Sequence, residues 1–384
     1  MNASDLARVQ FATTTSFHFL FVLLTLGLVT LLAIMQTRFT LTRAPVHERM
    51  TRFWGRIYVI NYALGIATGI VMEFQFGLNW SGLATYAGDV FGAPLALETL
   101  VAFFLESTFL GLWIFGWGRL NRWVHLALLY LTALTAYASA FWIMAANGFL
   151  QHPVGYRVDG NVLRLEDFSA LLSNPTFGTA LMHVVFASLT VGGVFLTGVS
   201  AYHFIKRTTE MDFFRRSLRM GVITTALATP ALVGAGFAQF PILKEFQPGK
   251  LAAGPGPALG FMIMIGMTLT TVSWLTLPLL VKDLVIRMRF PLYLMVIGIP
   301  LPFVAAILGW VFREVGRQPW LVYGLLRTDE AVSHVDSSQI LLSLVVFSSL
   351  FVLLACVDWA LIARAVRRGP DVTPAPVSPL VVTL

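Results

Sequence analysis

The sequence contains very little cysteine and little charge. Its 384 residues include one cysteine, Cys356, which excludes an internal disulfide, a four-cysteine metal site and covalent haem attachment through a C-x-x-C-H motif. Charged residues make up 12% of the chain, about half of the roughly 25% found in soluble domains. An ordinary soluble protein of this length is therefore excluded.

Apolar residues take the place of the missing charge. Hydrophobic residues account for 57% of the chain, and the mean hydropathy is +0.78. A helix needs about 20 apolar residues to span a bilayer, and nine stretches have this length: 16–36, 57–78, 95–117, 125–147, 178–204, 220–241, 258–281, 290–312 and 338–362. The sequence predicts an all-α polytopic membrane protein, with one membrane domain over residues 1–362 and a disordered, Pro-rich cytoplasmic tail over 363–384.

The basic residues predict the orientation of the chain. With the N-terminus outside, the inner segments hold 18 of the 26 lysine and arginine residues. The positive-inside rule then predicts an outer N-terminus and a cytoplasmic C-terminus. The net charge of +7 follows from attraction to the anionic inner leaflet and does not indicate nucleic-acid binding. The first residues have no signal-peptide pattern, so the first helix is expected to be retained.

Two carboxylic acids interrupt the third apolar stretch. Glu98 and Glu106 lie in GAPLALETLVAFFLESTFLGLW, where an ionised carboxylate is costly unless it faces a polar interior or takes up a proton. On a regular helix they would be about 12 Å apart along the axis, within one stripe. This pattern predicts acids that pass protons or flank a cofactor. The alternative is a pair of structural acids kept neutral by desolvation.

Two histidines and one methionine are candidate metal ligands. His18 and His183 fall near the outer ends of their apolar stretches, where neutral imidazole can bind haem iron. The alternatives are an interfacial hydrogen bond for His18 and close helix packing through the small residues that follow His183. Met264 lies in GFMIMIGMTL. Methionines in such helices usually serve packing, but a His/Met pair would hold a six-coordinate haem.

Two further acids lie near the outer ends of helices. Glu314 begins EVGRQPW between Arg313 and Arg317, and it is either an interfacial salt-bridge partner or a carboxylate ligand, with arginine balancing haem propionates. Glu73 in MEFQFGLNW either anchors a helix end or serves the same site. Five polar positions thus map near the outer face, as a redox site there would require: His18, Glu73, Glu98, His183 and Glu314.

Longer strings identify a family. Five of them are informative: RVQFATTTSFHFLFVLLTLGL, MTRFWGRIYVINYALGIATGIVMEFQFGLNWS, GDVFGAPLALETLVAFFLESTFLGLWIFGWGRL, SAFWIMAANGFLQHPVG and GIPLPFVAAILGWVFREVGRQPW. They resemble subunit I of the cytochrome bd oxidases, and the resemblance covers most of residues 5–205 and 290–324. The nine-helix count with an outer N-terminus agrees with that family.

The resemblance implies a terminal oxidase of the bacterial plasma membrane. Its cofactors would be haem b558, haem b595 and haem d, or a third haem b in place of haem d. Electrons would enter at b558, oxygen would be reduced to water at the d site, and proton uptake from the cytoplasm would generate a membrane potential. The implied partner is subunit II, with a small single-helix subunit as a further candidate.

The resemblance also implies a role for each matching residue. His183 and Met264 match the two iron ligands of haem b558. His18 matches the histidine of one high-spin haem and Glu314 the carboxylate of the other, and which of them holds haem d stays open. The remaining matches are the proton-path acids Glu98 and Glu106 and the cofactor-binding positions Arg317, Trp310 and Glu73.

Two departures from the family concern the electron donor. The long quinol loop is represented only by FPILKEFQPGKLAAGPGP. In it, Lys250 matches a quinol-loop lysine, but Gly254 and Pro255 replace the expected acid. Met262 stands where the family has an arginine beside the b558 methionine. The donor is therefore open between quinol at a reshaped site and another donor such as a cytochrome c.

Two other classes of function compete with the oxidase. A non-catalytic haem-binding membrane protein would need only b558, so the presence of His18 and Glu314 argues against it. A proton-coupled transporter is expected to contain internal repeats and a cavity at mid-membrane, and the sequence has no such repeat. The predicted function is the haem-bearing catalytic subunit of a bd-type quinol:oxygen oxidoreductase.

Overall fold

The computed structural model describes residues 2–253 and 256–371. Within them, nine helical segments are long and apolar enough to cross a membrane: Ala3–Thr42, Pro45–Asn79, Ser81–Phe115, Arg122–Gln151, Pro175–Ile205, Met211–Phe246, Gly256–Thr276, Arg289–Val315 and Ser337–Arg368. The prediction of an all-α polytopic protein with nine spans is confirmed. Seven of these segments extend beyond the predicted apolar stretch at both ends because their polar ends continue the helical hydrogen bonding, whereas the third and seventh end earlier than predicted, at Phe115 and Thr276.

The regular elements fall into three groups. The helices are α1 (Ala3–Thr42), α2 (Pro45–Asn79), α3 (Ser81–Leu97), α4 (Phe104–Phe115), α5 (Arg122–Gln151), α6 (Phe168–Leu172), α7 (Pro175–Ile205), α8 (Met211–Phe237), α9 (Gln239–Phe246), α10 (Pro248–Ala253), α11 (Gly256–Thr276), α12 (Leu284–Arg287), α13 (Arg289–Ile297), α14 (Leu301–Val315), α15 (Thr328–Ala331) and α16 (Ser337–Arg368). A π-helical segment (Glu98–Phe103) joins α3 to α4, and a 3-10 segment (Pro278–Asp283) precedes α12. Two antiparallel hairpins pair β1 (Tyr156–Asp159) with β2 (Val162–Leu165) and β3 (Trp320–Val322) with β4 (Leu326–Arg327).

Asparagine side chains begin three of the spanning helices. Asn2, Asn121 and Asn174 each accept a hydrogen bond from a backbone N–H of the following first turn. Pro45 and Pro175 occupy the first turns of α2 and α7, where a missing N–H breaks no helical bond. The residues at which these helices begin are therefore determined by the local sequence, immediately before the apolar stretches.

Helices α1 and α7 lie at the centre of the bundle. They approach closely at Gly27 and Gly192, where a β-carbon on Gly192 would lie 2.8 Å from the carbonyl carbon of Gly27. Only residues without a side chain permit this distance. The surrounding core contains fully buried large side chains, among them Trp54, Tyr58 and Phe195. The centre of the bundle thus provides a rigid wall for the neighbouring helices.

Four features differ from the helices expected from sequence. The third span contains the π-helical segment instead of a regular α-helix, and the eighth is broken between α13 and α14, where Pro300 supplies no N–H. The loop after α5 contains the β1–β2 hairpin in addition to the short helix α6. The last helix continues to Arg368, past the predicted boundary at residue 362. The remainder of the predicted tail, from residue 372, lies outside the described residues.

Candidate functional site

A cavity of about 830 Å³ lies among α1, α2, α5, α7, α8 and α14. This volume is in the upper part of the range of ordinary ligand pockets, about 300–1,000 Å³. Nine of the ten site residues predicted from sequence line it: His18, Glu73, Glu98, Glu106, His183, Lys250, Trp310, Glu314 and Arg317. Residues separated by up to about three hundred positions therefore meet at one site.

The His18 side chain presents one free ring nitrogen to the cavity. Its Nδ1 lies 2.9 Å from Thr68 Oγ1, and the Thr68 hydroxyl donates its own proton to the carbonyl oxygen of Gly65 at 2.8 Å. Thr68 can therefore only accept from His18, which fixes the N–H on Nδ1 and leaves a lone pair on Nε2. The imidazole packs over Gly69, where a β-carbon would lie 3.2 Å from His18 Cε1.

His183 is held in the same way on the other side of the cavity. Its Nδ1 lies 3.0 Å from the carbonyl oxygen of Leu232 on α8, an atom that can only accept a hydrogen bond. The N–H is therefore on Nδ1, and Nε2 carries the lone pair. Gly236 leaves room for the ring, because a β-carbon there would lie 3.1 Å from His183 Cε1. Both histidines thus have the tautomer that a metal ligand needs.

Three side chains orient the carboxylate of Glu314 at the end of α14. Asn147 Nδ2 and Gln151 Nε2 donate to Glu314 Oε1 at 3.0 and 3.2 Å, and Arg317 Nη2 donates to Oε2 at 2.6 Å. Asn147 also fixes Arg313, which donates from Nε to Asn147 Oδ1 at 2.6 Å. The carboxylate is therefore fixed in position and partly open to the cavity.

Arg317 has more donors than the protein side chains use. Only 3% of its side chain is exposed, and Nε and Nη1 have no hydrogen-bond partner among the described residues. Burial lowers the pKa of Arg317 from its ordinary value, while the neighbouring Glu314 acts in the opposite direction. The unpartnered Nε and Nη1 donors of this guanidinium at the cavity wall form a site for an anionic ligand group.

Lys250 is buried rather than presented by an open loop. Its Nζ donates to Gln151 Oε1 at 3.0 Å, to Gln247 Oε1 at 3.1 Å and to the carbonyl oxygen of Arg313 at 2.7 Å. Burial first, and then Arg313, lower the pKa of Lys250 well below its ordinary value, against the opposite effect of Glu314. All three N–H groups of the ammonium are already used, so none is left for a quinol in this position. The predicted quinol contact at Lys250 gains no support from this placement.

Glu73 and Glu98 are linked through hydroxyl groups. Thr99 Oγ1 donates to Glu73 Oε1 at 2.6 Å and lies 3.3 Å from Glu98 Oε2. Ser139 Oγ donates to Glu98 Oε1 at 2.6 Å. Glu106 lies deeper and is 6% exposed, and its Oε1 has no hydrogen-bond partner among the described residues. The acids therefore form a line along one wall of the cavity, with an unsatisfied end at Glu106.

Met264 lies apart from the other predicted residues. Its side chain is 54% exposed and does not line the cavity, whereas Met262 does. Met262 Sδ packs against α14, where a β-carbon on Gly309 would lie 2.7 Å from it. The described structure therefore places the thioether of Met262, and not that of Met264, in the cavity wall.

Several residues of the site were not predicted from sequence. Thr68, Thr99, Ser139, Asn147 and Gln151 orient the candidate ligands and acids through the hydrogen bonds given above. Asn147 and Gln151 are four positions apart in ANGFLQHP, which places them on one face of α5. Polar residues at helical spacing inside an apolar stretch were the available signal for this pair.

Comparisons with known proteins identify the family. The model for cytochrome bd terminal oxidase subunit I matches residues 6–258 and 257–370. The chain belongs to the cytochrome bd terminal oxidase subunit I family. It is 34% identical to cytochrome bd ubiquinol oxidase subunit 1 of Bacillus subtilis (strain 168), over 97% of this chain and 95% of the relative. It is 47% identical to cytochrome bd-II ubiquinol oxidase subunit 1 of Escherichia coli (strain K12), over 66% of this chain and 49% of the relative.

The fold agrees with a solved member of the family. The structure of the bd oxidase from Geobacillus thermodenitrificans matches with a TM-score of 0.90 and 25% identity, over 96% of this chain and 99% of the other. This chain is therefore a multi-pass membrane subunit of a terminal oxidase, an oxidoreductase with haem cofactors and a subunit II partner. The sequence-based identification of the family is confirmed.

The residue types that line the cavity are suited to holding haem. Imidazole with a free Nε2 is a ligand that haem iron accepts in proteins, and the oriented carboxylate of Glu314 offers an oxygen ligand. Nε and Nη1 of Arg317 are unpartnered donors for a propionate. Most of the remaining wall is apolar and aromatic, including Phe19 and Trp310, whose rings lie 6.3 Å apart. Such a wall suits the face of a macrocycle.

Proposed function

We propose that this subunit transfers electrons from quinol to oxygen through three haems, giving water and generating a membrane potential. One observation supports the proposal above all others. His18, His183 and Glu314 line a single cavity, and each has the hydrogen bonds that leave an iron-binding atom free. A merely structural set of polar residues would not need that common feature.

The ligands divide among the haems as follows. His183 binds haem b558, while His18 and Glu314 each bind one of the two high-spin haems, b595 and d, or a haem b in the place of d. When bound, these groups supply one-electron transfer and oxygen reduction. Arg317 holds a propionate, Trp310 covers a macrocycle face, and Asn147 and Gln151 keep Glu314 in its orientation.

The acids of the third span deliver protons to the site. Glu106 is the most buried of these acids, and Glu98 has Ser139 and Thr99 as hydroxyl partners. Glu73 is the next acceptor, since Thr99 bridges it to Glu98. Proton uptake through this line from the cytoplasmic side, coupled to electrons entering from the outer side, moves charge across the plasma membrane.

Two methionines are candidates to hold the iron of b558 together with His183. Met264 is the family position, and Met262 is the methionine in the cavity wall. If Met264 is the ligand, Met264→Leu converts b558 to a high-spin form and Met262→Leu leaves it low-spin. The reduced-minus-oxidised spectrum of each purified variant measures this, and the reverse pattern would assign the thioether to Met262.

Quinol is the proposed donor because it is the substrate in the names of both relatives given above. The segment after α8 that corresponds to the quinol loop forms α9 and α10 beside the cavity. It contributes Gln239, Phe240 and Leu243 to the lining. These helices are therefore the place at which a quinol headgroup can approach His183.

The deciding experiment uses the complex with subunit II. Its reduced-minus-oxidised spectrum is expected to show one low-spin and two high-spin haems, and pyridine haemochrome typing gives their identity and stoichiometry. Oxygen uptake is then measured with quinol and with reduced cytochrome c in parallel. A colourless complex would overturn the haem assignment, and uptake supported only by cytochrome c would overturn the proposed donor.

A further inference from the structure

Four polar atoms near Glu106 are buried without hydrogen-bond partners in the described part of the chain. They are the hydroxyl oxygens of Tyr58 and Tyr62, Oγ of Ser107 and Oε1 of Glu106. Tyr58 is completely buried, and Tyr62 and Glu106 are 7% and 6% exposed. Buried polar atoms nearly always have a partner, and where no protein group supplies one, ordered water does.

The two tyrosines extend the group of buried polar residues that contains Glu106. They lie one turn apart on α2, with ring centroids 5.7 Å apart and planes at 29°. Tyr62 and Glu106 both line the cavity, and Tyr58 lies beyond it. Ser107 directly follows Glu106 in the sequence, and Glu106 acts electrostatically on both tyrosine hydroxyl groups. The buried polar residues therefore continue beyond Glu106 to Tyr62 and Tyr58.

Tyr62 and then Tyr58 lead from Glu106 toward the end of the bundle that carries the arginines of α2. Helix α2 begins at Pro45 and carries Glu73 near its other end. Tyr58 is about 6 Å closer to the Pro45 end than Tyr62 is. Arg49, Arg52 and Arg56 lie in the same part of α2, and basic residues of this kind mark the cytoplasmic side.

A packing role alone does not account for the hydroxyl groups. Phenylalanine would give the same stacked pair without leaving two buried donors unsatisfied. Elsewhere in the bundle a tyrosine hydroxyl has a protein partner, since Tyr137 lies 2.8 Å from Thr30 Oγ1 and 3.3 Å from the carbonyl oxygen of Leu26. Among the tyrosines of the described residues, only Tyr58 and Tyr62 have a buried hydroxyl without a hydrogen-bond partner.

We propose that Tyr58 and Tyr62, with bridging water and Ser107, form a hydroxyl relay that brings protons from the cytoplasmic side to Glu106. In each step a hydroxyl gives its proton to the next oxygen and takes one from the water behind it. One O–H bond breaks for each that forms, so no tyrosinate remains. The inference rests on the proposed function, in which Glu106 receives protons that are used in oxygen reduction.

The test compares Tyr58→Phe, Tyr62→Phe and the double variant with Tyr137→Phe in the complete complex in liposomes. Phenylalanine preserves the stacked rings, and an unchanged reduced-minus-oxidised spectrum checks that the haems are intact. After oxygen is mixed with the fully reduced enzyme, the voltage-generating phase is expected to slow about tenfold or more in the double variant. It should be unchanged in Tyr137→Phe, although that variant loses a hydrogen bond. Equal slowing in Tyr137→Phe, or none in the double variant, overturns the relay.

A second readout does not depend on turnover. The carboxyl C=O infrared band of Glu106, identified by its loss in Glu106→Gln, is expected to shift in Tyr62→Phe because the bridging water loses a partner. An unshifted band contradicts the relay even if the variant is slow. Absence of oxygen uptake in the wild-type complex would instead refute the proposed function, which keeps the two failures distinct.

Discussion

At the scale of single residues, the hydrogen bond at Nδ1 of each imidazole determines that Nε2 is free to bind a metal ion. Thr68 and the carbonyl of Leu232 hold Nδ1 of His18 and His183, and so both Nε2 atoms are free. The histidines were predictable because imidazole is rare in apolar stretches. Their partners were not, since they are 50 and 49 positions away on other helices, and helix packing alone brings them together.

Replacing His183 by alanine should remove the low-spin haem and leave the high-spin haems in place. The reason is that His183 is the imidazole proposed for b558, while His18 and Glu314 are untouched. The reduced-minus-oxidised spectrum measures the change. His203→Ala is the matched control, because His203 is buried and bonded to the carbonyl oxygen of Val366 at 2.9 Å but does not line the cavity. An unchanged low-spin band in His183→Ala refutes the assignment.

Thr68→Val tests the orientation of His18. Valine has nearly the same shape but cannot accept from Nδ1, so His18 loses its fixed tautomer. Loss of such a supporting partner typically weakens metal binding by about 10–100-fold. Titration of haem into the depleted complex, followed at the high-spin bands, measures the loss. Thr132→Val serves as the control, because Thr132 is equally buried and bonds only within its helix. Equal haem affinity in both variants would contradict the proposed role.

At the scale of elements, apolar length was enough to predict where the nine spans lie, but not their internal geometry. The string ETLVAF has no proline or glycine and is compatible with a regular helix. It nevertheless forms the π-helical segment, a geometry that often marks functional sites. Its residues carry the tertiary contacts of Glu98 with Ser139 and of Thr99 with Glu73. Those partners belong to α5 and α2, so the local sequence could not reveal them.

Deleting Leu100 should therefore abolish oxygen uptake while the helix persists. Removal of one residue converts the π turn to a regular α turn and so removes the local backbone geometry in which Glu98 meets Ser139 and Thr99 meets Glu73. Leu100 itself is 67% exposed, so its side chain contributes little to the core. Leu100→Ala, which keeps the register, is expected to retain activity. Oxygen uptake and the haem spectrum of the two variants are the measurements. A fully active deletion variant would show that the π-helical geometry is unimportant for oxygen reduction.

At the scale of the whole molecule, nine of the ten residues that the sequence singled out line one cavity, and their roles stay predictions. The sequence did not predict the burial of Lys250 or the outward position of Met264. Lys250 follows α9 in a segment whose conformation is fixed by Gln151 and Arg313, both distant in sequence. Met264 follows Met262 by two positions, so the two methionines point to different sides of α11. The amino-acid composition of this stretch could not show which of the two methionines faces the cavity.

The orientation of the molecule rests on charge and makes a prediction that labelling can test. Asp159 and Arg119 are exposed and lie beyond opposite ends of α5, which is about 45 Å long. The cavity is near the Gln151 end, so an outer redox site requires Asp159 outside and Arg119 inside. In a Cys356→Ser background, Asp159→Cys should react with a membrane-impermeant maleimide in intact cells. Arg119→Cys should react only after permeabilisation, and the opposite pattern would place the haem ligands on the cytoplasmic side.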